Sequence, residues 1–293
     1  MTRREASNRR AVYISNSEDS LLRIIRRLQS KTNNIVIDFL RSNIDTADGN
    51  VRDTSANFRA INRLTSADRR ELEPIRREMA TYMLNRFEGQ SRATTSYFST
   101  FIERTNRFER ATNAATRKML FRIGYDGEKF IQGGFLHNIV TNNSYVNDIK
   151  AELFKKMASN QSLNKVIEDM TAYVRGTPQR GGLIESNYRT LAFDTFAQND
   201  RILNEDIAVG LNLNHAIYSG GEIKTTRCFC RERNNRVYTR EEIESWVNED
   251  FQGKTTPYDP VIDLGGYNCR HQLDWISEEL ANQIGNINSY GTC

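Results

Sequence analysis

Apolar residues recur at helical spacing through much of the first half of the chain. In the segment LLRIIRRLQ, which begins at Leu21, leucine and isoleucine fall on one side and the arginines fall mostly on the other. This arrangement is typical of an amphipathic helix. We predict a helix from about Ser20, and we expect the short apolar run IVIDFL at 35–40 to continue it.

Turn residues and further apolar stripes divide the rest of this half. Residues 43–57 are rich in Asn, Asp, Ser, Thr and Gly and predict a connection. A second helix is expected to begin near Ser66 or just before Pro74 and to end at Gly89. A third is expected over 94–121. Long antiparallel helices would bury the apolar sides of all three.

Glycine-rich segments interrupt the helical pattern further along. Residues 124–138 contain four glycines and predict a loop or small hairpin. Helices are expected over 145–157 and 163–174, and the glycines and proline of 175–182 break the pattern. A long helix should follow over 184–211.

The sequence pattern changes again over the last 80 or so residues and indicates a compact α+β unit. Thr239 and Glu242 have the spacing of a capping box at the start of a short helix. We therefore predict a mainly α fold with long N-terminal helices and a small α+β C-terminal module. Its expected parts are a basic helical region at 1–123, connecting loop and helices at 124–182, and the module at 183–293.

Composition and charge support this picture. The chain has 293 residues, four prolines and 27% charged residues, a balance that favours helices. Residues 1–120, which we call the front of the chain, carry 23 Lys and Arg against 14 Asp and Glu and are therefore basic. A basic front can bind DNA, but its closely alternating Arg and Glu favour ion pairs on a solvated face. No apolar run approaches the roughly 20 residues needed to cross a membrane, and we expect no membrane association.

All four cysteines lie in the last quarter of the chain. Cys228 and Cys230 form C-x-C, and after 38 intervening residues Cys269 and His271 form C-x-H. Two such pairs can supply the four ligands of a tetrahedral zinc ion, although the usual spacing within a pair is wider. Unmetallated packing of small buried residues and a disulfide between the pairs remain as alternatives. Cys293 is the terminal residue and is expected to fray.

Catalysis by the same residues would need a base and an orienting group beside a cysteine thiol. His271 or His215 could serve with Asp263 or Asp274, but nothing in the sequence fixes that geometry. The chain has no phosphate-binding loop, no dinucleotide motif, no HExxH and no clustered carboxylates for magnesium. We therefore expect no catalytic residues, no cofactor other than one zinc ion, and no enzymatic activity.

Several motifs of the C-terminal half, in this order and spacing, are similar to those of a known family. They are an Arg-Thr pair in the long helix, Tyr-Ser-Gly-Gly at 218–221, Thr-Arg-Cys-Phe-Cys at 226–230, a short acidic helix ending at Trp246, and Asn-Cys-Arg-His at 268–271. The Arg-Thr pair is Arg189 and Thr190. Residues 180–280 thereby resemble the Mu F-like family of minor head, or head morphogenesis, proteins of tailed bacteriophages.

The resemblance implies a structural role in the virion. Such proteins are minor capsid components that lie inside the head or at the portal vertex during and after assembly in the host cytoplasm. It implies portal and capsid proteins as partners, DNA as a further partner, a ring-like homo-oligomer, and a role in head assembly and DNA retention or delivery. The family usually has Cys-x-x-Cys followed by His-Pro-x-Cys-Arg-Cys. This chain departs from that pattern twice: its first pair is Cys-x-Cys, and its second motif lacks the proline and has His271 where the last cysteine would stand. Histidine in place of that cysteine would preserve a zinc ligand and rule out a disulfide there. The alternative function is a zinc-containing nucleic-acid-binding module, with nuclease activity the weaker form of it.

Overall fold

The structure is a computed structural model that describes residues 1–142 and 144–285, without the side chains of 66–69, 187 and 189–194. It is mainly helical, with a small three-stranded antiparallel sheet near the C-terminus, which confirms the predicted fold class. None of the described helices combines the length and the apolar character needed to cross a membrane.

The helices and strands alternate unevenly along the chain. The helices are α1 Arg3–Asn43, α2 Ser55–Asn62, α3 Leu64–Phe98, α4 Asn106–Arg122, α5 Phe135–Thr141, α6 Ser144–Ala158, α7 Leu163–Arg175, α8 Leu183–Leu211, α9 Cys228–Arg233, α10 Arg240–Ser245 and α11 Glu278–Ile284. The strands are β1 Thr46–Ala47, β2 Asn50–Val51, β3 Gly176–Thr177, β4 Arg180–Gly181, β5 His215–Ser219, β6 Val237–Thr239 and β7 Gln272–Ile276.

Two compact units share these elements. Unit 1 consists of residues 1–17, 86–122 and 193–293, and unit 2 consists of residues 18–85 and 123–192. Neither unit coincides with the predicted segments 1–123, 124–182 and 183–293. Composition and spacing report only local tendencies, so they do not reveal that the first residues of the chain pack with its last hundred.

Most predicted helices of the front are present, and α1 continues through the apolar run at 35–40. The predicted connection at 43–57 contains the β1–β2 hairpin, and α2 begins within it. The Thr54 side chain accepts a hydrogen bond from the amide of Asn57 and so caps α2.

The prediction that a helix ends at Gly89 is wrong, because α3 continues to Phe98. A side chain at Gly89 would lie 1.7 Å from the Tyr13 hydroxyl, both in unit 1. The glycine therefore allows Tyr13 to approach the helix and does not terminate it. Single residues that permit close packing and those that end a helix look alike in a sequence.

The expected helix over 94–121 is divided into the end of α3 and the whole of α4. The hydroxyls of Ser99 and Thr100 donate hydrogen bonds to the carbonyls of Ser96 and Tyr97 and occupy acceptors at the end of α3. Thr105 then accepts a hydrogen bond from a backbone amide at the start of α4. Local bonds of this kind compete with a continuous helix.

Unit 2 is a helical body with its own core. The α2, α6 and α7 helices pack there with the hairpin β1–β2, and a second hairpin, β3–β4, lies in the predicted break at 175–182. Its surface shows ion pairs between Arg27 and Glu78 and between Lys31 and Glu71. These pairs agree with the interpretation of the basic front as a solvated, paired face. The buried apolar residues of unit 2 include Leu21, Ile25, Leu28, Val36, Leu40, Val51, Ile61, Met79, Met83, Ile149, Leu153, Val166 and Met170.

Unit 1 contains the three-stranded sheet, which is antiparallel in the order β6–β5–β7. Strand β5 is central, with Ala216 opposite both Tyr238 and Trp275. All five residues of β7 are buried, although it lies at an edge of the sheet. The predicted capping box of Thr239 and Glu242 is present at the start of α10.

Candidate metal centre

Cys230, Cys269 and His271 meet in a buried group, which we call the Cys/His group, beside the sheet of unit 1. Cys230 lies in α9, and the other two lie in the loop that leads into β7. Their relative exposures are only 2%, 5% and 4%. The group could hold a metal ion, because each residue offers one soft or borderline ligand atom.

Distances within the group suit tetrahedral coordination. The sulfur atoms of Cys230 and Cys269 are 3.9 Å apart, and the Cys269 sulfur is 3.8 Å from His271 Nδ1. Zinc–sulfur bonds of about 2.3 Å at tetrahedral angles put two thiolate sulfurs about 3.8 Å apart. Both cysteines are free, so the predicted alternative of a disulfide between the two pairs is not what the structure shows.

Cys228 is the predicted ligand that the structure leaves outside the group. It is exposed at the first position of α9, while Cys230 is buried. Two residues that are two positions apart on a helix point about 200° away from each other. The C-x-C spacing suggested two ligands on extended chain, and the helical conformation of this segment is what separates them.

Two glycines make room for the group. A Cβ atom on Gly265 would lie 2.2 Å from the Cys230 sulfur and 3.1 Å from that of Cys269. One on Gly220 would lie 2.5 Å from Cδ2 of His271. Gly220 of the Tyr-Ser-Gly-Gly motif and Gly265 of the Gly-Gly-Tyr-Asn motif therefore have a packing role, because the backbone at these two positions passes directly against the ligand side chains.

The two thiols have opposite tendencies to ionise. The hydrogen bond with Cys230 lowers the pKa of Cys269 well below its usual value, and His271 and Arg201 act in the same direction against burial. The same hydrogen bond and burial raise the pKa of Cys230. The pair thus favours one thiolate that is hydrogen bonded by its neighbour, and a cation between the sulfurs would stabilise both as thiolates.

Tyr218 covers the group from β5. Its hydroxyl lies 3.2 Å from the Cys230 sulfur and 3.8 Å from that of Cys269. Among the described side chains it is the oxygen that the hydrogen bonds place beside both sulfurs, so a fourth ligand would be this oxygen or a water molecule. The neighbouring rings of Phe229 and Trp246 pack edge-on against Tyr218 and close the site to solvent.

Two arginines hold the ligand loop in place. Arg227, just before α9, donates to the carbonyls of Gly265 and Tyr267. Arg201, on α8, donates to the carbonyls of Ile262, Cys269 and His271. Guanidinium groups with several fixed donors suit this task, because one side chain can pin successive turns of a loop.

The open edge of β7 is closed by side chains of the helices. Beyond the two carbonyls that Arg201 satisfies, Arg10 and Asn204 both donate to the carbonyl of Leu273, and Tyr97 donates to that of Trp275. The outward carbonyls at 269, 271, 273 and 275 therefore all have donors. An edge that is covered in this way cannot pair with another strand.

A buried charge network supports the same strand. The side chains of Arg10 and Asp200 are 0% and 1% exposed, and Arg10 Nε lies 3.1 Å from the Asp200 carboxylate. Asp274 on β7 lies 3.4 Å from Arg10 Nη1. Burial raises the pKa of Asp200. The charge of Arg10 opposes this rise, and the nearby Asp274 carboxylate adds to it. Sequence reasoning did not detect the roles of Arg10 and Asp200; their only signal was charge within otherwise apolar helical faces.

The candidate catalytic partners are placed elsewhere. Asp274 accepts hydrogen bonds from Ser7, Ser219 and Gln272, and Asp263 accepts one from the amide of Asp259. Neither carboxylate is hydrogen bonded to a histidine in the described part of the chain. The structure therefore does not bring together the thiol, histidine and carboxylate that covalent catalysis would use.

Some of the predicted features cannot be located. Cys293 and the side chains of Arg189 and Thr190 lie outside the described residues, although residues 189 and 190 are in α8 as expected. Comparison of the chain with models of protein families, with curated proteins and with solved structures found no match.

Proposed function

We propose that the chain is a minor capsid protein of a tailed bacteriophage, similar to the Mu F-like head morphogenesis proteins. In this role it is a structural component at the portal vertex or inside the head. Its partners are the portal and capsid proteins, and it assists head assembly and the retention or delivery of DNA. Catalysis is not part of the proposal.

The observation that supports the proposal is the meeting of the family-like motifs in one cluster. Tyr218, Cys230, Trp246, Cys269 and His271 come from four separate motifs, and in unit 1 they lie against one another. Chance similarity of scattered short motifs would give no reason for their residues to share a core. If the motifs belong to one folding module, their residues are expected to lie in contact in this way.

Within this role we propose that Cys230, Cys269 and His271 bind one structural zinc ion. The two sulfurs and the imidazole nitrogen have a donor set and spacing that zinc accepts. Burial favours a structural site over a catalytic one, because a catalytic zinc needs an open position for water and substrate. The ion would link α9, which carries Cys230, to the loop that carries Cys269 and His271 and leads into β7.

Two measurements test the proposed role. Purified phage particles from the genome that encodes the chain should contain it in far fewer copies than the major capsid protein, as quantified by mass spectrometry. The tagged chain, co-expressed with the portal protein of the same genome, should retain the portal on an affinity column. An unrelated phage's portal is the control for the column.

Both results are needed to separate a virion component from a transient assembly factor. Absence of the chain from purified particles, together with its failure to retain the matched portal protein, would contradict the proposal. Zinc content is measured separately, because the metal could be present in a protein with another role.

A further inference from the structure

A cleft in unit 1 opens beside the buried charge network. It is bordered by the first turns of α1, the end of β5 with the residues after it, and the start of β7. Its volume of about 670 Å³ is in the range of small-ligand sites. All of its lining residues belong to unit 1.

The charged lining of the cleft is mainly cationic. Arg3, Arg4 and Arg270 line it together with one carboxylate, that of Asp274. Arg4 and Arg270 are exposed and Arg3 is half-buried, while the Asp274 side chain is only 3% exposed. The positive charge is therefore presented to solvent and the negative charge is withdrawn.

The Asp274 carboxylate is also occupied by donors of the protein itself. Its carboxylate accepts hydrogen bonds from Ser7 at 2.6 Å and Ser219 at 2.8 Å, and Arg10 lies 3.4 Å away. A carboxylate with these partners has little remaining attraction for a cation in the cleft. The field at the mouth of the cleft is accordingly set by the three arginines.

We propose that this cleft binds phosphate groups, as carried by a single-stranded nucleic acid. Guanidinium groups match phosphate oxygens with paired donors, and three that converge from two sides can hold adjacent phosphates. The exposed amides of Asn8 and Asn235 add neutral donors and acceptors to the lining. The inference uses only unit 1 and does not rest on the proposed role in the phage head.

The test is binding of a short fluorescein-labelled oligothymidylate to the full chain, followed by anisotropy at several salt concentrations. Replacement of Arg3, Arg4 and Arg270 by Gln removes three phosphate contacts. The slope of log affinity against log salt should then decrease in magnitude by about 2, because single-strand contacts contribute about 0.7 each.

A matched variant controls for net charge. Replacement of Arg41, Arg52 and Arg59 by Gln removes the same charge from exposed positions of unit 2. This variant should retain the salt slope of the unmodified chain. Equal weakening by both triple variants would overturn the proposal, since binding would then reflect total charge.

A second pair of variants keeps the arginines and changes the cleft itself. Gly221 lines the cleft, and a Cβ atom there would have no neighbour within 4 Å. Gly221→Ala should fold and bind as before, whereas Gly221→Glu should reduce affinity at least as much as removal of one arginine. Unchanged binding by Gly221→Glu would contradict the placement of the ligand.

Competitors identify what the cleft recognises. Displacement of the oligonucleotide by inorganic pyrophosphate would show that isolated phosphate groups suffice, and displacement only by unlabelled oligonucleotide would point to the phosphodiester chain. Either outcome supports a phosphate site. Equal displacement by a glutamate peptide of the same charge, or no binding of the oligonucleotide and pyrophosphate, would overturn it.

Discussion

Tyr218 and His271 stack face to face, with ring centroids 5.1 Å apart and planes inclined by 25°. Tyr218 lies near the end of the central strand β5, and His271 immediately precedes the edge strand β7. The stack therefore joins the strand pairing of unit 1 to the Cys/His group. Several of the expected properties of the protein depend on this relationship.

Tyr218→Phe and Tyr218→Ala separate the two contributions of this side chain. The phenylalanine variant keeps the stack and loses the hydrogen bond to Cys230, so it should lower the free energy of unfolding by about 1 kcal/mol. The alanine variant leaves a cavity among buried rings and should cost about 3–5 kcal/mol. Urea unfolding followed by tryptophan fluorescence measures both, and similar losses for the two variants would show that the ring does not matter.

The adjacent glycines Gly220 and Gly221 provide a matched pair. Gly220→Ala places a methyl group 2.5 Å from the His271 ring and should destabilise unit 1 by about 1–3 kcal/mol through overpacking. Gly221→Ala meets open space and should have little effect. Thermal unfolding compares the two variants directly. Equal melting temperatures would mean that His271 does not lie against Gly220.

Arg201 should act as a positioning residue for the ligand loop. Arg201→Met removes donors from three carbonyls, two of them buried in the loop that carries Cys269 and His271. We expect a loss of about 3 kcal/mol or more in unfolding free energy. Arg110→Met, at an exposed position of α4, should change it by less than about 0.5 kcal/mol. Comparable losses would place Arg201 outside this role.

Asp200 should make stability depend on pH. Its pKa is raised in the folded chain by burial, so the folded state binds a proton more readily than the unfolded state does. The contribution of Asp200 to the free energy of unfolding is then greatest below its pKa in the unfolded chain, about 3.8, and it is lost as pH rises through the pKa of the folded chain.

The comparison is the unfolding free energy of the unmodified chain minus that of Asp200→Asn, measured from pH 7 downward. We expect this difference to shift in favour of the unmodified chain as pH falls, with a slope of at most about 1.4 kcal/mol per pH unit. A difference that shifts in the opposite direction would show that pairing with Arg10 outweighs burial.

Local patterns predicted the helices well, and tertiary relationships less well. The amphipathic stripe of α1 and the capping box at Thr239 act between near neighbours, so they are visible in the sequence. Gly89 was misinterpreted because its partner, Tyr13, lies far away in the chain. The association of Arg10 with Asp200 was not visible for the same reason.

The candidate site was predicted in composition but not in full geometry. The recurrence of Cys and His in two close pairs indicated Cys230, Cys269 and His271, and the structure brings these together. It also suggested Cys228, because spacing alone does not show whether a C-x-C segment is extended or helical. Tyr218 was noted only as part of the Tyr-Ser-Gly-Gly motif, and its position over the two sulfurs follows from the pairing of β5 with β7, which the sequence pattern does not show.

Metal content tests the proposed centre most directly. Chain purified under reducing conditions without chelator should contain about one zinc ion by mass spectrometry of the metal, and Cys228→Ser should retain it. Cys269→Ser and His271→Ala should lose most of it and should unfold at lower temperature. A chain that stays free of zinc after reconstitution, or equal zinc loss in Cys228→Ser and Cys269→Ser, would contradict a centre formed by Cys230, Cys269 and His271.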